Sequence, residues 1–489
     1  MKIINNSNDQ VIQLLGGKQI KRPGRYYRHN KYLLNYQYDD ETILILNMFT
    51  GSFVELKTYE YKNIFTDILC DYADYLVANY FIVPKDFDED FWIEEIRNRL
   101  KRPITDMYLD HLNHFTILTT TKCNARCPYC YENKLKKKQD MTEETAEKVA
   151  QYIIENHNIN NDSIQLLWFG GEPLYNENII NIICSRIKSF KIKFTSSIIT
   201  NGYLFNEKNL DKVVNEWHVN NIQITLDGVN EKYNKTKNYI YKDDPNPFEK
   251  VINNIDELIK RHIYINIRMN VDNNNAEDIK ELAIYLCKKF KNHPDKAYLS
   301  IYSNKIYNCE SSLKYQEELV NHLLEIDQIL LDNKFYSKLT DEGIRYVHCQ
   351  VDNGQGVLIT PTGEIGLCQG TLEGRLLGHI DNPINLDIEL LKHISKFEEN
   401  NMDICKDCVM KPTCIRLTYC TDMRQCDKIW KDYKIKIAIL EMINSYERYI
   451  SNEKYLKENN CNNNKCNCEK PINHNYNCQR VFCEKVFNC

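Results

Sequence analysis

The chain has 489 residues, too many for one ordinary hydrophobic core, so two or three domains are expected. Its 43% hydrophobic content describes a soluble globular protein; no apolar run approaches the ~18 residues that span a bilayer, and the Met1-Lys-Ile-Ile-Asn-Asn start lacks a signal-peptide core. A net charge of −5, with Lys and Arg dispersed among acids, leaves no nucleic-acid footprint, and 20 cysteines in a chain expected in the cytoplasm point to metal ligation before disulfides.

Residues 1–108 form a cysteine-poor unit. Alternating apolar residues predict strands over 32–36, 42–46 and 53–56, the last entered through a Thr50-Gly51-Ser52 turn. A helical stretch over 59–78, an apolar 81–84 and an amphipathic 91–100 follow, which together suggest a winged-helix-like module.

From Phe115 the pattern changes to alternating strands and helices. Strands are expected over 115–119, 164–169, 194–199, 222–226 and 264–271, with helices over 141–157, 177–190, 207–216, from Pro247 onward, and 275–290. In the first of these helices Thr142 suits the N-cap, Glu143 and Glu144 the first turn, and Ala146, Val149, Ala150 and Ile153 one apolar face. Pro247 suits a helix start with Val251, Ile255, Leu258 and Ile259 on its buried side. Repeated strand–helix units imply a parallel α/β sheet, with its loops gathered on one rim where ligands bind.

The first strand runs into Cys123-Asn-Ala-Arg-Cys127-Pro-Tyr-Cys130. A fixed spacing of three cysteines would arise by chance about 0.03 times in such a chain. Three thiolates so placed can hold three irons of a [4Fe-4S] cube and leave the fourth iron open to a small molecule; a structural zinc loop is the competing use of such cysteines. Trp168-Phe-Gly170-Gly171-Glu172-Pro173, Thr200-Asn201-Gly202 and Thr225-Leu-Asp227-Gly228 stand at later strand ends.

These motifs resemble the radical SAM superfamily, whose cluster loop carries an aromatic residue before the last cysteine, as Tyr129 stands here. The resemblance implies a partial (β/α)6 TIM-like barrel over 109–340 and S-adenosylmethionine chelated at the open iron. It places Gly170, Gly171, Glu172 and Pro173 at the ligand's methionine end, and Asn201, Thr225 and Asp227 facing its ribose and carboxylate. Arg268 is a further ligand contact or an ordinary salt-bridge residue. Relatives often show His and Arg downstream of the Leu-Asp-Gly motif. This chain has Tyr233 and Lys237, and Lys237 would offer a point charge without the planar fork of Arg.

A second cysteine field comprises Cys349, Cys368, Cys405, Cys408, Cys414, Cys420 and Cys426. It resembles the SPASM domain, here 341–458 with a closing helix expected over 430–456, which binds auxiliary [4Fe-4S] clusters in peptide and protein maturases. By that resemblance Cys405, Cys408, Cys414 and Cys426 enclose one cluster, while Cys349, Cys368 and Cys420 serve another with an open iron or a ligand borrowed from Cys309. Zinc is the alternative occupant of the Cys-x2-Cys pair. The front unit resembles leader-peptide recognition domains of such maturases, with a packing cap on the barrel as the alternative.

The resemblance therefore implies thioether closure in a cysteine-rich precursor peptide that carries a leader, with ferredoxin or flavodoxin as reductant and no nucleic-acid or membrane partner. A formylglycine-generating sulfatase maturase and a noncatalytic metal-cluster scaffold are the alternatives. Gln369 stands after Cys368 where the formylglycine group commonly has Asp, and it cannot act as a base at neutral pH. The segment 459–489, rich in Asn and Cys, is expected to be a disordered, weakly metal-binding end; the other options are a metal site or a mimic of a cysteine-rich substrate.

Overall fold

The computed structural model describes residues 1–22, 24–64, 71–105, 112–130, 138–158, 163–306, 312–335, 343–345, 355–368, 376–382, 402–414 and 426–458. The chain divides into two compact units, each assembled from separated segments. One comprises residues 1–106, 337–352 and 392–469; the other comprises 107–336, 353–391 and 470–489.

The first unit opens with strand β1 (Lys2–Asn5), helix α1 (Asp9–Leu14), β2 (Tyr27–His29), β3 (Leu33–Gln37), β4 (Thr42–Asn47) and β5 (Phe53–Lys57). Helices α2 (Thr58–Asn63) and α3 (Asp71–Ala78), β6 (Ile82–Pro84) and α4 (Glu89–Thr105) follow. Strands β1-β5-β4-β3 form an antiparallel sheet in that order, and β2 pairs with β6. Every residue of β4 is buried, because one face meets Val54, Leu56 and Val77 and the other meets Leu34, Phe53 and Phe49.

Much of the second face is covered by chain from the far end of the sequence. Ala438, Met442 and Tyr446 join that core, and the Tyr446 hydroxyl donates to Glu55 at 3.0 Å. Burying one such side chain contributes about 1.5–3 kcal/mol. The cysteine loop at 405–414 is tied to α4 by polar contacts. Arg97 donates from Nε to the Arg345 carbonyl at 3.0 Å and from Nη2 to the Lys411 and Pro412 carbonyls at 2.8 and 3.0 Å. Asp90 accepts from Lys411 at 2.8 Å and also from Lys31 and Tyr32.

The second unit carries β7 (His114–Thr120), α5 (Glu143–Asn156), β8 (Ile164–Gly170), α6 (Glu177–Ser189), β9 (Phe194–Thr200), α7 (Glu207–Asn215) and β10 (Val219–Leu226). It continues with α8 (Asn230–Lys237), α9 (Pro247–Lys260), β11 (Tyr264–Val271), α10 (Ala276–Phe290), β12 (Leu299–Lys305) and α11 (Leu313–Asp332). Strands β7 to β12 are parallel neighbours in chain order, alternating with helices as in a TIM-like partial barrel. Among the described residues β12 has no second strand partner, so the sheet is open there. Beyond β7 it takes up β13 (Gly356–Ile359) in parallel, then the antiparallel β14 (Glu364–Gly366) and β15 (Leu376–His379).

Local sequence accounts for the helices. Thr142 accepts from the Thr145 amide, and Ala146, Val149, Ala150 and Ile153 are buried as their spacing predicts. Pro247 starts α9, whose buried side includes Val251, Ile255, Leu258 and Ile259. The pattern analysis found the helix over 430–456 but missed β12, α11 and the β13–β15 extension. Because the six strands are parallel, their carboxyl ends share one rim, and the motif residues emerge there.

Among the described residues no helix is long and apolar enough to cross a membrane. Segment 402–458 continues with helix α12 (Met402–Cys405) and the long helix α13 (Lys428–Glu458) of the first unit.

Arg97→Leu should cost about 3 kcal/mol of first-unit stability in chemical denaturation, since a hydrogen-bonded buried guanidinium is lost and three carbonyls lose a donor. Asp90 supplies an acid-sensitive contribution. Burial would raise its pKa, but hydrogen bonds from Lys31, Lys411 and Tyr32 outweigh that and hold it at about 2. The contribution is present above the ordinary carboxylate value and is lost as pH falls from about 4 towards 2. Asp90→Asn should flatten that part of the stability profile.

Candidate active site at the carboxyl rim of the parallel sheet

The loop after β7 is held at both ends. The Thr120 hydroxyl donates to Asp140 at 2.6 Å and accepts from the Lys122 amide at 2.9 Å, while the Thr121 amide donates to the Gln139 carbonyl at 2.8 Å. The turn after β8 lies directly against this loop. The Gly171 amide donates to the Thr120 carbonyl at 3.0 Å and the Glu172 amide to the Lys122 carbonyl at 2.9 Å. A Cβ on Gly170 would sit 2.1 Å from the Thr120 oxygen, and one on Gly171 2.3 Å from the Lys122 oxygen. Both glycines therefore admit the cysteine loop itself; Gly170 also has φ +132°.

Glu172 is fully buried beneath that turn. It accepts from the Thr200 hydroxyl at 2.7 Å, the Asn201 amide at 2.8 Å and the Leu174 amide at 3.2 Å. Burial pushes its carboxyl up to about 7, with the three donors pulling the other way. Pro173 opens the short helical turn that follows, and its carbonyl accepts from Thr119 at 3.0 Å. Asn201 carries the connection onward: its Nδ2 donates to the Asn124 side-chain oxygen at 2.7 Å and lies 3.9 Å from the Cys123 sulfur.

A second group of contacts comes from β10, α8 and β11. Asp227 accepts from the Tyr129 hydroxyl at 2.5 Å, the Lys237 ammonium at 2.7 Å and the Asn270 side-chain amide at 3.0 Å. Lys237 also donates to the Thr225 hydroxyl at 2.8 Å. Burial alone would pull the ammonium down, but Asp227 with Tyr129, Cys127 and Tyr233 together outweigh it and hold Lys237 well above its ordinary value. Arg268 donates from Nε to the Asn270 side-chain oxygen at 3.0 Å, extending the chain along β11.

The three cysteines are close enough to feel one another. Burial pushes the Cys123 thiol up to about 12, with further upward push from Glu172, Cys127 and Cys130. Burial also raises Cys127, against the pull of Lys237. Among the described residues no three His, Cys, Asp or Glu side chains converge on a single metal ion. Cube ligation asks for something else, since each thiolate then takes its own iron.

Residues 117–286 match the model of the Radical SAM superfamily. The chain carries a radical SAM domain. It is 24% identical over 389 residues to the radical SAM cyclopropyl synthase TigE of Paramaledivibacter caminithermalis, covering 70% of this chain and 79% of the relative. It is 30% identical over 126 residues to the GTP 3',8-cyclase of Desulforamulus reducens, covering 26% of this chain and 37% of the relative. Its fold is similar to that of native anSMEcpe with bound AdoMet, with a TM-score of 0.51 at 18% identity over 70% of this chain and all of the other.

Radical SAM domains imply a [4Fe-4S] cluster and S-adenosylmethionine. The donor set here fits that pair. Cys123, Cys127 and Cys130 would supply three soft thiolates, and the Asn124 Nδ2, buried without an acceptor, is a spare donor beside them.

Sequence reasoning missed Asn124, Asn270 and the Tyr129–Asp227 bond, and left Lys237 without a firm role. One signal was available for Lys237. Helix α8 is polar throughout except for Tyr233, and Lys237 lies four residues on, on the same buried face.

Of the second cysteine field, Cys368 follows β14 in the second unit, whereas Cys405, Cys408, Cys414 and Cys426 belong to the first. Successive turns link three of these, through the Cys408 amide to the Cys405 carbonyl, Lys411 to Cys408, and Cys414 to Lys411. Burial raises the Cys408 thiol, Cys414 adds to that rise, and Lys431 and Lys434 pull it down. Cys309, Cys349, Gln369, Cys420 and the segment 459–489 lie outside the described residues.

Gly171→Ala should strip iron from anaerobically reconstituted protein, because backbone oxygen blocks the methyl group. Glu172→Gln leaves one acceptor oxygen for three donors and should cost about 1–3 kcal/mol in thermal or chemical unfolding.

Proposed function

We propose that this radical SAM protein is a peptide maturase that closes thioether links between cysteine sulfur and carbon in a ribosomally made, cysteine-rich precursor peptide. The observation that carries the reading is the cysteine loop pinned against the Gly170–Pro173 turn and braced by Asp227, Asn201 and Lys237. In this reading Cys123, Cys127 and Cys130 hold the cluster. The main chain at Gly170–Pro173, with Glu172, Asn201, Thr225, Asp227 and Arg268, shapes the S-adenosylmethionine site.

When bound, cluster and S-adenosylmethionine would supply a 5′-deoxyadenosyl radical that takes one hydrogen atom from a substrate carbon. Closure then releases a proton from the cysteine thiol and one electron to an acceptor. Cys405, Cys408, Cys414 and Cys426, with Cys349, Cys368 and Cys420, are proposed to hold one or two auxiliary clusters, one of which serves as that acceptor. The residue 1–108 module is assigned to the peptide's leader, 109–340 to the radical SAM barrel and 341–458 to the SPASM domain. The setting proposed is the cytoplasm, with ferredoxin or flavodoxin as reductant.

The similarity to TigE favours a second reading, carbon–carbon ring closure in a peptide. Both closures remove two hydrogens, but only thioether formation consumes the thiol. Reduced, reconstituted protein should release 5′-deoxyadenosine, and Cys127→Ala should reduce release to the no-enzyme background. Incubation with neighbouring cysteine-rich peptides should give a loss of two hydrogens per link, with the linked cysteine no longer alkylated by iodoacetamide. Full alkylation after the same mass loss would select the carbon–carbon reading.

A further inference from the structure

Lys237 and Asp227 are both enclosed, with side-chain exposures of 1% and 0%. Removing two charges from water costs several kcal/mol per ion, and well-packed apolar residues of similar volume often stabilise a fold as well or better. Stability is therefore a weak reason for this pair to be here. Its bonds show where it acts. The backbone carbonyl of Lys237 accepts from the Arg126 amide at 2.8 Å, one residue before Cys127. Two residues after Asn238, which turns the chain at φ 46°, the Ile240 amide donates to the Asn124 carbonyl at 2.8 Å. The end of α8 thus grips the cysteine loop through main chain on both sides of Ala125.

Side chains repeat the connection. The Asp227 oxygen that takes the Lys237 ammonium also takes the hydroxyl of Tyr129, which stands between Cys127 and Cys130. Asn270 fills the other oxygen, and Thr225 accepts a second ammonium hydrogen. The Tyr233 ring lies 5.8 Å from the ammonium. A buried cation beside a loop whose thiolates hold iron favours the more negative, reduced state of a cluster.

We propose that Lys237 is a positioning residue of the radical SAM site, a buried counter-charge that locks the cysteine loop through Asp227 and Tyr129 and tunes the reduction potential of the cluster held there. The proposal rests on Cys123, Cys127 and Cys130 being cluster ligands. Its distinguishing consequence is a sign. Removing the cation should make one-electron reduction harder, and removing the anion should make it easier.

The experiment is a redox titration of full-length, anaerobically reconstituted protein. It follows the part of the electron paramagnetic resonance signal that changes on adding S-adenosylmethionine, with iron and sulfide measured in parallel. Lys237→Met should lower the reduced-to-oxidised ratio at fixed potential at least tenfold (~59 mV for one electron), and Asp227→Asn should raise it. The double variant should return towards the parent, and Lys237→Arg should stay near it, because charge is kept.

Shifts of the same sign in both single variants, or none, would overturn the proposal. If Lys237→Met does not hold iron, Asp227→Asn against the double variant decides, and equal potentials there overturn it. Loss of the cluster from every variant, the double and Lys237→Arg included, would assign the pair to folding alone. A parent protein with no S-adenosylmethionine-responsive signal would sink the cluster assignment itself, and this proposal with it.

Discussion

The close approach of two backbone segments governs this site. The turn after β8 donates two amide hydrogens to the carbonyls that lead into the cysteine loop, and only residues without a Cβ fit at Gly170 and Gly171. That contact fixes where Cys123 begins. It also carries Glu172 into the interior, where its oxygens take donors from the end of β9. The glycine pair, the carboxylate and the Thr200–Asn201 segment are thus one assembly, and Asn201 passes it on to Asn124 inside the loop.

The second support comes from β10, α8 and β11. Asp227 at the end of β10 is the meeting point of a tyrosine from the cysteine loop, a lysine from α8 and an asparagine from β11. These pieces can meet because parallel strands deliver all their ends to one rim. A shift of one residue in any of them would turn the motif side chains to the other face. The continuous pairing from β8 to β12 therefore matters to the chemistry as well as to the fold.

Much of this was legible in the residues. Hydrophobic periodicity located α5 and α9, because their buried positions repeat at helical spacing and their caps are conventional. The cysteine loop and the strand-end motifs could be picked out because few other uses of those residues require that order. Tertiary contacts were hidden. A lysine in a polar helix looks like a solvated one, and only the packing of Tyr233 and the place of Asp227 show that Lys237 faces inward. The pairing of β13 beside β7 was also invisible, since about 235 residues separate the partners and no local pattern reports which edge a short apolar strand will choose. Likewise, nothing near Arg97 in the sequence marks the carbonyls of Arg345, Lys411 and Pro412 as its partners.

That placement of β13 has a practical meaning for anyone dissecting the protein. The strand that launches the cysteine loop has β8 on one flank and β13 on the other. A fragment cut after α11 would leave one flank of β7 with bare amide and carbonyl groups, a template for sticking to another chain. The excised barrel would be prone to aggregate at the very strand that feeds its chemistry, so the smallest handleable piece has to retain residues well past the apparent end of the strand–helix repeat.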